Sequence, residues 1–328
     1  ESLYRFLTLD FVPTPYSIIE GVRKVQPGGW VLIGPDGVRE GRFHELRIPE
    51  MLQDIDQATA ATEVWNELVR ATGQRLESEV PLGVFLSGGL DSSAVLAAMA
   101  EHVDPATIST FTIGFEDPSF DESGPARQIA GHYGTRHHQK ILSGNDALAL
   151  VQETPEIADE PLADYSIMPT ALLARFARQH ITVALSGDGG DELFHGYDTF
   201  RADRWARIAE SFSPEFVRKN LLPKAAGLIP VTDRNMGLDF KVGRMIRGLK
   251  YGRFERHLAW TGSFDPAAVL GPDGLLVPDV AQSLAPFSSD PYPDAARVLA
   301  GTEGLDPMKR LSVLYARLYL LDGVLVKV

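Results

Sequence analysis

The sequence predicts an α/β protein, a doubly wound parallel sheet followed by a mostly helical C-terminal extension. Two observations carry this expectation. Between Leu82 and Leu185, short apolar strands alternate with amphipathic helices, the order that builds a parallel sheet covered on both faces. Two of those strands, ending near Leu86 and Leu185, run directly into glycine-rich turns, and from about Tyr197 onward the pattern is mostly helical.

The elements follow in order. Ser2 to Leu9 reads as a helix, then a turn rich in proline (Pro13, Pro15), then short strands around Trp30 to Ile33 with a Pro-Asp-Gly turn at Pro35 to Gly37. A helix is expected from about Ala58 to Glu77. Leu82 to Leu86 is an apolar strand, and a helix opens near Asp91 with Val95, Ala98 and Met99 on one face. Ile108 to Ile113 reads as a strand, Asp121 to Tyr133 as a helix, His137 to Leu142 as a strand. Ser166 to Gln179 reads as an amphipathic helix and Ile181 to Leu185 as a fourth strand. Asp306 and Pro307 mark a helix start, with Asp as N-cap and Pro at the first position. Met308, Leu311, Leu314, Tyr315, Leu318 and Leu321 form its apolar stripe, which is expected to be core. Leu270 to Ala300, where Pro and Gly are frequent, is expected to be loop-rich.

Composition narrows the function. The chain has 31 basic and 44 acidic residues and a net charge of −13, the wrong sign for a protein held on a phosphate backbone by lysine and arginine. Nucleic acid is therefore a disfavoured partner. The 328 residues contain no cysteine, which excludes disulfides, thiolate metal sites and a cysteine nucleophile within the chain, and is compatible with the cytoplasm. The longest apolar runs, such as Ala94 to Ala100, are far shorter than the ~20 residues a bilayer span requires.

The strongest chemical signal is Ser87-Gly88-Gly89-Leu90-Asp91-Ser92-Ser93, set between a strand and a helix. The glycines let backbone N–H groups approach an anion, and the helix start adds further donors. No Gly-Lys pair occurs in the chain, so this is not a Walker A loop. Asp91 beside a polyphosphate would repel it unless a divalent cation lay between, so the loop implies Mg²⁺; the alternative is that Asp91 merely caps the helix. Ser186-Gly187-Asp188-Gly189-Gly190-Asp191-Glu192 repeats the logic after a second strand. An acidic surface turn would explain it alone, but the pair of loops favours a shared site in which Asp91 and Asp191 hold one Mg²⁺. His132, His137 and His138 suit no zinc pattern, and the adjacent two would point to opposite faces of their strand. The stretch from Arg201 to Arg207, with Trp205, is expected to be a solvated helix face.

Ser87 to Ser93 resembles the signature of the PP-loop ATP pyrophosphatases, whose fold is of the adenine nucleotide alpha hydrolase type. The second loop with Leu193-Phe194-His195-Gly196-Tyr197, the segment Asp159 to Ser166 and the segment Thr110 to Phe115 resemble the glutamine-hydrolysing asparagine synthetase family in particular. The resemblance implies ATP and Mg²⁺. By matched position it implies that Phe85 and Ile113 hold adenosine, that Leu86 belongs to the cofactor-binding set, and that Ser87, Gly88, Gly89, Asp91 and Ser92 hold pyrophosphate. Ser186 and Gly187 would touch the nucleotide. Asp188 stands where relatives commonly carry Glu, a residue needed for forming or attacking the acyl-adenylate. Asp91 and Asp191 would bind the metal, giving Asp188, Asp91 and Asp191 as the catalytic set.

The same resemblance divides the chain into residues 1–50, like the tail of a glutaminase domain that would be a partner in the full-length protein, 51–200 as the ATP-binding synthetase domain, and 201–328 as a helical extension. Val326-Lys327-Val328 matches a point where relatives continue, so the chain is expected to be a fragment, with a lysine that relatives use in adenylation lying beyond it. The implied reaction activates aspartate as β-aspartyl-AMP for attack by ammonia, giving asparagine, AMP and pyrophosphate. The rivals are a cyclase of the β-lactam or lasso-peptide type, a tRNA-modifying PP-loop enzyme, and a nucleotide-binding relative without catalysis.

Overall fold

The structure, a computed structural model, describes residues 1–46, 55–118, 121–214, 216–217 and 237–327. In chain order the elements are α1 (Ser2–Leu9), β1 (Gly29–Gly34), β2 (Gly37–Arg42), α2 (Gln57–Arg75), β3 (Leu82–Phe85), α3 (Leu90–Ala100) and β4 (Ser109–Phe115). They continue with α4 (Ser123–Tyr133), β5 (Arg136–Leu142), α5 (Gly144–Ile157), α6 (Ile167–Ala177), β6 (Val183–Leu185), α7 (Gly190–Phe194) and α8 (Asp198–Phe212), with further helices from Leu238. Two compact units result. One comprises Glu1–Glu50, Ala158–Asp164 and Asp191–Val326; the other comprises Met51–Ile157, Tyr165–Gly190 and Lys327–Val328.

The second unit holds the predicted sheet. Its order is β5-β4-β3-β6 with every pair parallel. The chain therefore builds outward from β3 through β4 to β5, then returns to place β6 on the other side of β3. That reversal is the switch point at which open α/β sheets form a crevice beyond the strand C-termini. Val84, Leu86, Leu96, Met99, Ile108, Ala126 and Ala130 form the core under α3 and α4. Phe111, Ala177 and Ile181, with Phe85 and Phe176 against them, form the core on the opposite face under α6. Helices on both faces are what the near-continuous apolar strands demand. His137 and His138 do face opposite ways: His137 Nδ1 pairs with Thr110 Oγ1 at 2.9 Å, while His138 stacks on Phe111 and on His180, with ring centroids 4.9 and 4.3 Å apart. Among the described residues no group of three or more metal-ligating side chains gathers anywhere.

The first unit packs Leu9 and Phe11 with Phe200, Leu258, Leu299, Leu311, Leu314, Tyr315 and Leu318, so the stripe on the last long helix is core as expected. The Asp306 side chain accepts from Met308 N at 2.7 Å and Pro307 opens that helix, which passes into π-helical turns over Tyr315–Val324. The N-terminal segment is bound in by polar contacts. Asp322, largely buried, accepts from Thr14 N at 2.9 Å and Thr14 Oγ1 at 2.6 Å, and Lys24 Nζ lies 2.8 Å from Glu160 Oε2.

One expectation fails here. The stretch Leu270 to Ala300 is a series of short helices, Pro278–Ser283, Pro286–Ser289 and Pro293–Leu299, following Pro266–Leu270. Each begins with proline, whose fixed φ and missing N–H suit the first helical position; the prolines that suggested loop are helix starts. On α8 the solvated face is real at Arg201 and Trp205, but Asp203 between them is buried against Arg253 of the helix Arg253–Thr261 at 2.7 Å. No helix among the described residues is long and apolar enough to cross a membrane.

Candidate active site

Both serine-glycine loops leave the C-terminal ends of β3 and β6, which pair in register from Leu82 opposite Val183 to Val84 opposite Leu185. The first loop is tied to itself. Ser87 N and Ser87 Oγ lie 3.2 and 3.1 Å from Ser92 Oγ, and Gly89 N donates to Ser87 Oγ at 3.2 Å. These bonds fold the turn back over the start of α3, whose N-cap Gly89 offers no side-chain acceptor to the first helical N–H groups. Gly88 has φ +80, and a Cβ there would lie 2.5 Å from Ala126 N. Only glycine satisfies both the turn and this approach.

The second loop lies on the first. A Cβ at Gly187 would stand 2.6 Å from Ser92 N, and one at Gly190 would stand 2.6 and 2.7 Å from the two carboxylate oxygens of Asp91. The glycines of the second loop are therefore spaces that Asp91 and Ser92 require. Ser186 Oγ donates to Asp188 Oδ2 at 2.6 Å, orienting an otherwise exposed carboxylate.

Of the apolar residues expected near the nucleotide, Leu86 is buried in the core beneath α3, Phe85 packs with Phe111 on the α6 face, and Ile113 sits two residues on from Phe111, on that same face. The structure thus brings Phe85, Leu86, Ser87, Gly88, Gly89, Asp91, Ser92, Ser186, Gly187 and Asp188 to adjoining strand ends in one unit, with Ile113 on the neighbouring strand β4.

Asp191 begins the segment assigned to the other unit. Burial lifts its carboxyl above the ordinary range, and Gly196 leaves the space its Oδ1 occupies. Beside it, the carboxylate of Glu192 is buried and accepts from Tyr197 OH at 2.5 Å, and His195, at φ +60, pairs through Nε2 with Ser312 Oγ at 2.7 Å. Glu192 and the close approach of α4 to Gly88 were not singled out from sequence. The Asp-Glu pair ending the second loop was the available signal for the first; nothing local marks the second. The side chains at the first loop, the Asp91 carboxylate and the Ser87 and Ser92 hydroxyls, are of the hard oxygen kind that Mg²⁺ takes beside phosphate.

Sheet order and paired glycine loops define an α/β protein with a switch point between β3 and β6, the place where open sheets of this kind form a crevice. The asparagine synthase family model matches residues 63–326, and the chain belongs to that family. It is 35% identical over 219 residues to a putative glutamine-hydrolyzing asparagine synthetase 2 of Methanocaldococcus jannaschii, covering 67% of this chain and 40% of that protein. It is 32% identical over 255 residues to the glutamine-hydrolyzing asparagine synthetase 1 of Bacillus subtilis, covering 72% and 39%. A protein of Gibberella zeae named an amidase is 32% identical over 205 residues, covering 57% and 30%. The chain spans about two fifths of the length of the first two relatives.

Proposed function

We propose that this chain is the ATP-dependent synthetase portion of an amide-forming ligase that activates aspartate as β-aspartyl-AMP and passes the acyl group to ammonia. The single observation that carries the reading is the fit of the second loop onto the first, with Gly187 and Gly190 making room for Ser92 and Asp91. Two anion-binding turns joined at a switch point suit a nucleotide polyphosphate.

In this reading Phe85, Leu86 and Ile113 line the adenosine end. The N–H groups of the first loop and the hydroxyls of Ser87 and Ser92 bind the β- and γ-phosphates as a unit. Asp91 and Asp191 would hold Mg²⁺, which supplies charge neutralisation when bound. The α-phosphate is then left open to the aspartate carboxylate, and pyrophosphate departs. Asp188, oriented by Ser186, receives a proton from the attacking amine as the amide forms. Catalysis rests mainly on positioning and on donors aimed at developing negative charge. Ammonia would come from a glutamine-hydrolysing domain of the full-length protein, working in the cytoplasm.

The test uses the natural protein that contains this chain, given ATP, ammonia and aspartate labelled with ¹⁸O in its side-chain carboxyl. Asparagine, AMP and pyrophosphate should form in equal amounts, with one labelled oxygen in AMP. ADP and phosphate, or unlabelled AMP, would overturn the adenylate mechanism. The amidase-named relative favours a second reading, in which the same activation serves another carboxylate or an amine within the same molecule. AMP and pyrophosphate without asparagine would select it.

A further inference from the structure

The turn after α7 is built around the Asp191 carboxylate. Asp191 is the second residue of α7, which ends at Phe194. At His195 the backbone turns left-handed, with φ +60. Gly196 then comes back over the helix, its N–H donating to Asp191 O at 3.0 Å. A helix that closes with this long backbone bond ordinarily carries glycine at the left-handed position and an apolar contact beneath it. Here the left-handed residue is a histidine, and the glycine comes one position later, where φ is not left-handed. A Cβ on Gly196 would collide with Asp191 Oδ1 and stand 3.0 Å from its Cγ. Glycine therefore stands where the Asp191 side chain requires it, and the position at which the backbone would favour it is given to His195 at a cost of about 1–2 kcal/mol.

The residues on either side of Gly196 are fastened to the long C-terminal helix. His195 Nε2 lies 2.7 Å from Ser312 Oγ, on the helix Pro307–Leu314. The Tyr197 ring packs on Tyr315 and Tyr319 of its π-helical continuation, with centroids 5.9 and 5.8 Å away. The Tyr197 hydroxyl donates to Glu192 Oε1, on the neighbour of Asp191, at 2.5 Å. All of these residues belong to one compact unit, and Tyr315 is part of its core. The core helix holds the turn, and the turn lies against the Asp191 carboxylate.

We propose that Tyr197 is a positioning residue for Asp191, keeping Gly196 against the carboxylate so that it is held in one orientation before a metal binds. This rests on the function proposed above, in which Asp191 is a ligand of Mg²⁺. A ligand already held loses less freedom on binding, and groups behind a metal ligand govern metal affinity for that reason.

The experiment uses the natural protein containing this chain, as parent, Tyr197→Phe, Gly196→Ala, Asp191→Asn and the double variant of Tyr197→Phe with Asp191→Asn. Calorimetry reads ATP affinity across a series of Mg²⁺ concentrations and again without the metal. Tyr197→Phe keeps the ring and drops the bond to Glu192. It should raise the Mg²⁺ concentration needed by about ten-fold, while metal-free ATP affinity stays within about two-fold of the parent. Gly196→Ala should do the same, because its methyl displaces the carboxylate. Once Asp191 is Asn, Tyr197→Phe should add nothing further, since both act through one group. A tyrosine that only stabilises the fold would weaken ATP binding alike with and without metal, or add its loss to that of Asp191→Asn. Either result overturns the inference, as does an unchanged Mg²⁺ requirement in Tyr197→Phe, and the proposed function then stands. If ATP binding by the parent does not depend on Mg²⁺, the proposed metal and the inference fall together. Should Gly196→Ala fold poorly, as read by far-UV circular dichroism, Tyr197→Phe alone and in the double variant decides the matter.

Discussion

Gly190 and Asp91 are separated by 99 positions, yet a single carbon added to Gly190 would stand 2.6 Å from Asp91 Oδ1. The second loop closes on the first because it has no side chain at that point. The relationship explains why a loop with three carboxylates in seven residues also carries three glycines: acidic groups and close backbone approach are needed in the same few residues.

Gly190→Ala should therefore damage the site and spare the fold. The added methyl must displace the Asp91 carboxylate or lift the second loop. MgATP affinity should fall by about ten-fold or more, while thermal stability should change by no more than about 1 kcal/mol, because the loop can move outward. Isothermal titration with MgATP beside a thermal melt separates the two, and unaltered affinity would contradict the packing.

Asp91→Asn and Asp191→Asn test the shared metal. Each keeps the shape of the side chain and removes its charge. With Mg²⁺ present, ATP affinity should drop strongly in both; without Mg²⁺, Asp91→Asn should bind ATP at least as well as the parent, since a repulsive charge has gone. A titration of Mg²⁺ at fixed ATP reads this directly, and equal affinities with metal in both variants would exclude metal binding by these carboxylates.

Thr14→Val should destabilise the first unit. It removes the hydroxyl that donates to Asp322 at 2.6 Å and leaves a buried carboxylate short of a partner, a cost of about 2 kcal/mol. Denaturant titration of the parent and variant measures it. Thr14→Ser, which retains the hydroxyl, should restore most of the difference.

Acid should loosen the same unit through Asp203. Burial pushes its carboxyl up, but the neighbouring His257 and Arg253 more than offset this and hold it at about 2. A folded-state value below the ordinary ~3.9 means the stabilisation is complete above that ordinary value and is lost as pH falls toward about 2. The amount at stake is about 2–3 kcal/mol. Unfolding free energy measured from pH 6 downward should fall across that window in the parent and less steeply in Asp203→Asn. Parallel curves would show that Asp203 does not carry the dependence.

Much of the fold was legible because its signals are local. The alternating strands and helices, the Asp306 cap and the apolar stripe through Leu318 each depend on residues within a turn or two of one another. The loops were legible for a similar reason, since glycine and serine in that pattern have a backbone meaning of their own. What joins the loops was not: Gly190 meets Asp91 only because β6 pairs with β3, and strand order is set by long-range packing. Helix α5, with Pro155 inside it, gave too weak a pattern to be read. The prolines at 278, 286 and 293 were read by composition, as loop markers, when position made them helix starts. Asp203 was hidden among exposed neighbours because its partners Arg253 and His257 arrive some fifty residues later.

The pairing of Thr14 with Asp322 also has a temporal meaning. These residues are 308 positions apart, so the segment around Thr14 must wait for some three hundred further residues to be made before its acceptor exists. Residues 51–157 and 165–190, which hold the complete parallel sheet, emerge from the ribosome long before that acceptor exists. Contacts of such separation form late and slowly. Until the helix that covers them is made, Leu9 and Phe11 lack their core partners, so this part of the first unit closes only after the parallel sheet has had time to form.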